Sequence, residues 1–387
     1  MIRLADRMSR LGTETAFEVL VRARALEAQG HHVVHLEIGE PDFDTPDNIR
    51  QAGAEAIWQG FTHYGPSFGL PQLREAIAEE SSRIRGVPCR PDEVVVTPGA
   101  KPIMFFAILA LAQEGDEVIY PNPGFPIYES VIKFAGATPV PSPLHESLDF
   151  RLDVAELETL ISPKTRLLIL NSPQNPTGSV LTRDDLQTIA ALAVEHNFMV
   201  MADEIYRRIL YRGEHLSIQS FPSMPERTII LDGFSKTYAM TGWRLGYGIM
   251  PEELARQFAL LHVNSNSCTA SFTQMAGVEA IRGPQERPRE FVEEFRHRRD
   301  AIVAGLNDIP GVTCREPQGA FYVFPNVKSS GQSSKELAHR LLQEARVACL
   351  AGSDFGAHGE GYLRFSYANS LENIDEALRR MRKLLAG

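Results

Sequence analysis

The sequence predicts an α/β fold of three layers, in which a mostly parallel central sheet carries helices on both faces. The first observation is a series of short, almost uninterrupted apolar segments, such as residues 166–170 and 198–202. Strands of this kind occur where helices cover both faces of a parallel sheet. The second observation is that these segments alternate with stretches of helical periodicity, which is the pattern of repeated βαβ units.

Helices are predicted where apolar residues recur every three or four positions, and strands where short apolar runs are bounded by turn residues. In chain order, the helices predicted before residue 283 are residues 15–29, 47–60, 71–85, 103–112, 126–135, 154–160, 184–196 and 273–282. The strands predicted in the same part are residues 33–36, 94–97 and 118–120, a segment around residue 138, and residues 166–173, 198–206, 228–232 and 244–249.

A second, smaller α+β domain is predicted from both ends of the chain. Gly283-Pro284 and Arg287-Pro288 mark a boundary, and a chain of 387 residues has room for two domains. The elements predicted after the boundary are helices at residues 289–306, 335–345 and 373–385 and strands near residue 312 and at residues 320–327 and 362–368. The expected division is a large domain at residues 46–285 and a small domain formed by residues 1–45 and 286–387.

The composition argues against several classes of function. A net charge of −10 does not favour a nucleic-acid or anionic-membrane partner, and no window reaches the roughly 18 apolar residues of a membrane span. HExxH, GxxxxGKS/T and GxSxG motifs are absent, and the eleven histidines lack ligand spacing, so no metal site is predicted. Because no CxxC pair or signal peptide is present, we expect a cytoplasmic protein with reduced thiols at its four cysteines: Cys89, Cys268, Cys314 and Cys349.

The stretch GFSKTYAMTGWR, residues 233–244, carries the strongest chemical signal. Lys236 is preceded by Ser235 and followed eight positions later by Arg244. This spacing suits a site for an aldehyde cofactor with a phosphate, because the amine forms a Schiff base while the hydroxyl and the guanidinium hold the anion. Ser235 and Lys236 also follow a predicted strand, and ligands of open α/β sheets bind at the carboxyl ends of strands.

Asp203 follows the apolar strand at residues 198–202, where a carboxylate is costly to bury without a cationic partner. A protonated pyridine nitrogen is one such partner, and the pair keeps the ring an electron sink. A helix cap or a salt bridge at the sheet edge is the alternative interpretation. Tyr206, three residues later, either donates a hydrogen bond to a phenolate oxygen or packs in the core.

Three loops that follow predicted strands also carry candidate residues. Residues 171–178, NSPQNPTG, form either a rigid polar loop that directs Asn175 or an ordinary turn, and the density of prolines favours the rigid loop. Residues 121–126 place Phe125 either over a flat ring or in the core. Residues 98–101 turn into a helix, whose unpaired backbone N–H groups form either an anion site or a plain connection.

Arg364 stands between apolar residues in the strand at residues 362–368. A buried arginine needs an anion, which a substrate carboxylate supplies. Lys101 contacts a cofactor phosphate or an acidic substrate side chain, or it is solvated. The turn-rich residues 38–43, which include Gly39, are interpreted first as a connector.

Taken together, these segments resemble the pyridoxal-phosphate-dependent class I/II aminotransferases of the aspartate aminotransferase family, which have fold type I. The resemblance extends from about Leu11 to Leu385 and depends on the order and spacing of the segments. It implies an enzyme that moves the amino group of an L-amino acid to a 2-oxo acid such as 2-oxoglutarate in a ping-pong reaction. It also implies pyridoxal 5′-phosphate as the cofactor of the large domain, and a homodimer with shared active sites.

The resemblance assigns most of the candidate residues to the cofactor. It makes Lys236 the Schiff-base lysine, which also moves the α-proton, and it makes Asp203 the partner of the pyridine nitrogen. The other cofactor ligands that it implies are Tyr206 and Asn175 at the phenolic oxygen, Ser235, Arg244 and the backbone N–H groups of Ala100 and Lys101 at the phosphate, and Phe125 on the ring face.

For the substrate, the resemblance implies that Arg364 binds the α-carboxylate, with Asn175 and the backbone of Gly39 beside it. It also brings Tyr64 to the cofactor phosphate of the neighbouring subunit. The preferred amino acid stays open among acidic, aromatic and small neutral ones. Aspartate-specific relatives stack a tryptophan where this chain has Phe125, and the arginine that many use for a distal carboxylate has no obvious match. Lys101, however, stands where one bacterial subgroup places a lysine that contacts acidic substrates.

Two other functions are compatible with the same residues. The first is a lyase or cyclase of the same fold that acts on a substituted amino acid. The second is a non-catalytic module that binds the cofactor, such as the sensing half of a transcription regulator. Such proteins need a DNA-binding extension, whereas the motif pattern of this chain begins within about 35 residues of residue 1.

Overall fold

Twelve α-helices and twelve short strands lie within residues 2–385, the part of the chain that the computed structural model describes. The helices are α1 (Thr15–Glu27), α2 (Asp47–Trp58), α3 (Pro71–Arg85), α4 (Lys101–Leu111), α5 (Ile127–Ala135), α6 (Val154–Leu160), α7 (Arg183–Glu195), α8 (Glu252–Ser265), α9 (Ser271–Arg282), α10 (Glu286–Asn307), α11 (Ser334–Arg340) and α12 (Leu371–Leu385). The strands are β1 (Val34–His35), β2 (Val94–Thr97), β3 (Glu117–Asn122), β4 (Thr138–Pro143), β5 (Thr165–Asn171), β6 (Met199–Asp203), β7 (Thr228–Gly233), β8 (Gly246–Ile249), β9 (Tyr322–Val323), β10 (Val347–Ala348), β11 (Leu350–Ala351) and β12 (Leu363–Ser366).

Seven strands form the central sheet, in the order β2-β8-β7-β6-β5-β3-β4. Neighbouring strands run parallel except at β8, which is antiparallel to both β2 and β7. The connection from β7 to β8 contains no helix, so the chain turns back instead of making the crossover that a parallel strand requires. The sheet is therefore mostly parallel, as the apolar strands predict.

Alternate residues of the central strands pack into two separate hydrophobic cores. In β5, Leu168 and Leu170 belong to one core, whereas Leu167 and Ile169 belong to the other. The first core includes side chains of α3 and α7, and the second includes side chains of α4, α5 and α8. Helices thus bury both faces of the sheet, which confirms the predicted three-layer α/β fold.

A third core holds together the smaller part of the protein, with side chains from α10, α12, β9 and β12. Strands β11, β12 and β9 form an antiparallel sheet, and β1 pairs in parallel with β10. The N-terminal strand therefore joins the C-terminal part of the chain, which confirms an α+β unit built from both chain ends. The exact division at residues 45/46 and 285/286 stays a prediction, and residues 1, 386 and 387 of the predicted small domain lie outside the described residues.

Five elements differ from those that the sequence predicts, and two of them are the short strands β10 and β11, which no predicted segment covers. The apolar periodicity of the sequence does not reveal α8. Its apolar residues do not all lie on one face of the helix, since Leu260 and Val263 are 58% and 50% exposed in the single chain. The strand expected near residue 312 is reduced to a bridge between Thr313 and Asn326. The helix expected at residues 335–345 consists of α11 and one π-helical turn, Leu341–Ala345.

Within residues 2–385, the chain forms no helix with the length and apolarity needed to cross a membrane. All four cysteines are free thiols. The cytoplasmic location stays a prediction.

His35 in β1 gives the protein a pH-dependent contribution to stability. Its Nδ1 lies 2.8 Å from Oε1 of the buried Glu37, and its Nε2 lies 3.1 Å from Oε1 of Glu27. The hydrogen bond to Glu37 raises the pKa of His35 to about 9, although burial acts in the opposite direction. Because this pKa lies above the ordinary value of about 6.5, the stabilisation is complete below a pH of about 6.5 and is lost as the pH rises through about 9.

We expect the loss of this contribution to lower the free energy of unfolding by about 1–2 kcal/mol as the pH rises from about 6.5 to about 9.5, a figure reduced for the partial exposure of the imidazole. Urea denaturation at a series of pH values measures the change. His35→Gln keeps a hydrogen-bonding side chain without the charge, so the variant should lack this part of the pH dependence. Identical pH profiles for the two proteins would contradict the assignment.

Candidate active site

The carboxyl ends of β5, β6 and β7 open onto a cavity of about 570 Å³. Tyr64 is 91% exposed and lies outside this cavity in the single chain. The other eleven residues predicted for the site line the cavity: Gly39, Ala100, Lys101, Phe125, Asn175, Asp203, Tyr206, Ser235, Lys236, Arg244 and Arg364. Segments far apart in the sequence therefore meet at the edge where open α/β sheets bind their ligands.

Asp203 ends β6, opposite Asn171 of β5. Its Oδ2 accepts a hydrogen bond of 2.5 Å from the hydroxyl of Tyr128, and its Oδ1 accepts one of 3.3 Å from the backbone N–H of Ile205. Burial raises the pKa of Asp203 to about 6, while the bond from Tyr128 acts in the opposite direction. Above this pH the cavity contains a buried carboxylate with two neutral donors, which can take a cationic partner.

Lys236 lies in the loop that follows β7. Its Nζ donates a hydrogen bond of 2.6 Å to the backbone carbonyl of Gly39. Burial lowers the pKa of this amine to about 8. Near neutral pH the amine therefore has a larger uncharged fraction than an exposed lysine, and the uncharged form is the one that acts as a nucleophile or a base.

The N-terminus of α4 is surrounded by groups that bind anions. The first backbone N–H groups of this helix have no partner within the helix. Gly99, in the turn before it, has a φ of +85°, which favours glycine, and the guanidinium of Arg244 lies against its Cα. Ser235 and Arg244 line the same cavity. Backbone N–H, hydroxyl and guanidinium groups at a helix N-terminus are typical ligands of a phosphate.

Arg364 in β12 is a buried cation, 4% exposed, with no carboxylate partner among residues 2–385. Its guanidinium carbon lies 4.6 Å from the ring centre of Tyr322 and 5.1 Å from that of Phe355. One Nη donates to the Glu37 carbonyl and the other, at 3.3 Å, to Oδ1 of Asn175. In the described chain Nε has no hydrogen-bond partner. A buried guanidinium with an unused N–H is suited to bind a carboxylate.

The polar loop after β5 is held by its own first residue, Asn171. The amide group of Asn171 donates to the carbonyls of Pro173 and Asp203 at 3.2 and 3.1 Å. Its Oδ1 accepts a bond of 2.9 Å from the backbone N–H of Asn175. Asn171 thereby positions Asn175, whose side chain contacts Arg364.

Three side chains that the sequence analysis did not include also belong to the cavity wall. Tyr128 supplies the hydroxyl that donates a hydrogen bond to the carboxylate of Asp203. The hydroxyl of Tyr322 forms a hydrogen bond of 2.8 Å with that of Tyr206, and Glu14 accepts one of 2.9 Å from the ammonium of Lys101. No sequence signal separates these residues from ordinary core tyrosines or surface glutamates, because each contact joins distant parts of the chain.

The chain is similar to aminotransferases in both sequence and fold. The model of the family described as "Aminotransferase class I and II" matches residues 31–381. The chain is 44% identical to the aspartate aminotransferase of Pyrococcus abyssi, over 91% of this chain and 92% of that protein. It is 40% identical to aromatic-amino-acid aminotransferase 2 of Thermococcus litoralis, over 99% of this chain and 98% of the relative. The solved structure of aspartate aminotransferase from Thermus thermophilus with maleate matches it with a TM-score of 0.94 and 38% identity, over 99% of this chain and 100% of the other.

Proposed function

The chain belongs to the aminotransferase class I and II family, and on this basis we propose that its cavity binds pyridoxal 5′-phosphate, the cofactor on which that family depends. It is an enzyme, a transaminase, which moves an amino group from an amino acid to a 2-oxo acid. A lyase or cyclase of the same fold is not favoured, because relatives 40% and 44% identical over nearly the full chain are named aminotransferases.

The residues of the cavity suit the three functional groups of this cofactor. The donors at the N-terminus of α4, with Ser235 and Arg244, suit its phosphate. The amine of Lys236, with its lowered pKa of about 8, suits its aldehyde. The carboxylate of Asp203 suits a protonated pyridine nitrogen. This last observation supports the proposal most strongly, because a buried carboxylate whose donors are all neutral is costly unless a cation joins it.

Three further side chains are proposed to orient the cofactor ring. Phe125 packs edge-to-face against Tyr128, with ring centres 5.6 Å apart, and its own face is proposed to stack on the ring. The amide of Asn175 and the hydroxyl of Tyr206 are proposed to donate to the phenolic oxygen. The hydrogen bond between Tyr206 and Tyr322 holds that hydroxyl in place.

The steps of the reaction are then assigned to side chains of this chain. When bound, the cofactor supplies the electron sink that makes the α-hydrogen of an amino acid acidic. Arg364 binds the α-carboxylate, with Asn175 beside it, and so fixes the direction of the α-hydrogen. The Nζ of Lys236 would accept the α-proton and would deliver it to the C4′ carbon of the bound cofactor. Tyr128 holds Asp203 by the bond to Oδ2 and favours its ionised form.

We also propose that the protein is a homodimer with shared active sites. In the single chain Trp58 and Tyr64 are 90% and 91% exposed, and Leu260 and Val263 are half exposed or more. Exposed aromatic and apolar side chains of this size are enriched where subunits meet. In the dimer, Tyr64 is proposed to reach the phosphate of the cofactor bound to the partner.

The test of the function separates the two half-reactions. Protein loaded with the cofactor is mixed with L-alanine, L-phenylalanine or L-aspartate in the absence of an acceptor. A transaminase releases about one equivalent of 2-oxo acid per site and stops, and addition of pyruvate or 2-oxoglutarate restarts it. Continuous product release without an acceptor, or no oxo acid from any amino acid of a broad panel, would show that the function is wrong.

A further inference from the structure

Lys101, in the first turn of α4, is paired with an acidic side chain inside the proposed substrate cavity. Its Nζ lies 2.9 Å from Oε1 of Glu14, the residue that precedes α1. The side chain of Glu14 is 16% exposed and that of Lys101 is 47% exposed. The pair therefore lies partly out of solvent, where opposite charges attract each other more strongly than on an open surface.

Lys101 is also the basic side chain of the described cavity wall that the proposed function leaves unassigned. The others are Lys236, Arg244 and Arg364, which are assigned to the amine chemistry, the phosphate and the α-carboxylate. A second carboxylate on a substrate would therefore depend on Lys101 for a counter-charge within this chain. Lys101, however, already has a carboxylate partner.

Apolar side chains lie beside the pair and along the same cavity wall. The ammonium of Lys101 lies 5.5 Å from the ring centre of Phe125. Ala16, Phe17 and Leu350 line the same cavity. An aromatic or aliphatic substrate side chain would bury apolar surface here without disturbing any charge.

The negative charge of Glu14 extends to the groups that handle the substrate. Burial lowers the pKa of Lys236 and of Arg364, and the charge of Glu14 acts in the opposite direction on both, on Lys236 after the larger effect of Glu40. A second negative charge close to Glu14 would meet repulsion that the single ammonium of Lys101 offsets only in part.

We propose that the Glu14–Lys101 pair sets the side-chain specificity of the enzyme by neutralising this end of the substrate cavity. Amino and 2-oxo acids with uncharged aromatic or aliphatic side chains are preferred, and dicarboxylic acids bind weakly. The inference rests on the proposed function and deepens it. A dicarboxylic substrate must either displace Glu14 from Lys101 or place its distal carboxylate beside that of Glu14, whereas an uncharged side chain does neither.

The test compares two unreactive acids, succinate and 3-phenylpropionate, by isothermal titration calorimetry on the cofactor-loaded protein. Both acids offer a carboxylate to Arg364, and they differ in the group that reaches the Glu14–Lys101 pair. We expect the wild type to bind 3-phenylpropionate at least about tenfold more tightly than succinate. Glu14→Gln should tighten succinate binding by about tenfold or more, and change 3-phenylpropionate binding by less than about threefold.

Two further variants separate the pair from a general change of charge. Glu14→Gln combined with Lys101→Gln should lose the gain in succinate binding, because the freed ammonium is no longer present. Glu18→Gln changes an exposed glutamate of the same helix and should leave both dissociation constants as in the wild type. A gain in Glu18→Gln that equals the gain in Glu14→Gln would overturn the inference.

The inference is also overturned if the wild type binds succinate as tightly as 3-phenylpropionate, or if Glu14→Gln brings no gain. In either case, continued transfer of amino groups from alanine or phenylalanine would leave the proposed function intact. If neither acid binds to any variant, the substrate site itself is wrong, and the specificity inference fails with it.

Discussion

Lys236→Ala is expected to lower kcat/KM for every amino acid by about 10⁴-fold or more, because it removes the amine proposed both to attach the cofactor covalently and to move the α-proton. The amine suits both tasks, since burial lowers its pKa to about 8. The fold should persist, because the hydrogen bond that the side chain makes in the described chain goes to a single backbone carbonyl, that of Gly39.

Two measurements test the two roles of Lys236. Steady-state kinetics report the loss of proton transfer. Mass spectrometry after borohydride treatment of the loaded protein reports the covalent link, and the mass of the reduced cofactor should appear on the Lys236 peptide of the wild type alone. Lys164→Ala, which changes an exposed lysine, is the matched control and should keep both activity and label. Full activity in Lys236→Ala, or a label on another lysine, would refute the assignment.

The fold and the placement of the main polar residues could be predicted because their signals are local. A carboxylate directly after an apolar strand is conspicuous, and β6 does end at Asp203. Lys236 likewise follows the end of β7 by three residues. Both Asn171 and Asp203 are expected at strand ends, and in the structure the parallel pairing of β5 with β6 sets them beside each other. The chemical roles depend on the family resemblance and stay proposals.

Contacts between distant segments could not be predicted, because neither spacing nor periodicity encodes them. Tyr322 and Tyr206, whose hydroxyls meet, are 116 residues apart, and Glu14 and Lys101 are 87 residues apart. Each pair therefore depends on how the small part of the protein or the N-terminal segment packs against the central sheet. The sequence identifies Lys101 as a candidate to bind an acidic substrate side chain. It does not reveal that the carboxylate of Glu14 pairs with the ammonium of Lys101 and offsets its charge.

Asp203→Asn is expected to lower kcat by about 10³-fold, because an amide cannot stabilise a protonated pyridine nitrogen by charge. The replacement keeps nearly the same shape, so a side-chain oxygen can still accept the hydrogen bond from Tyr128. KM for the amino acid should change far less than kcat, since the proposed binding group for the substrate carboxylate is Arg364, not Asp203. Steady-state kinetics with saturating cofactor measure both constants.

The same substitution should make the cofactor-free protein more stable, and this distinguishes a functional residue from a structural one. Burial raises the pKa of Asp203 to about 6 from an ordinary value of 3.8, so the folded protein holds this proton more tightly than the unfolded chain. Ionisation therefore costs stability as the pH rises from about 4 to 6, and above that range the full cost persists. We expect Asp203→Asn to raise the free energy of unfolding by about 1–3 kcal/mol at about pH 8, and by roughly half as much at about pH 5.

Urea denaturation of the cofactor-free proteins at the two pH values measures this difference. Asp184→Asn, which changes an exposed aspartate of α7, should alter neither activity nor stability. A variant at Asp203 that lost activity and stability together would indicate that the carboxylate serves the fold. Loss of activity with a gain in stability is the expected signature of a charge kept in the core for its cationic partner, because the carboxylate is unfavourable there until that partner binds.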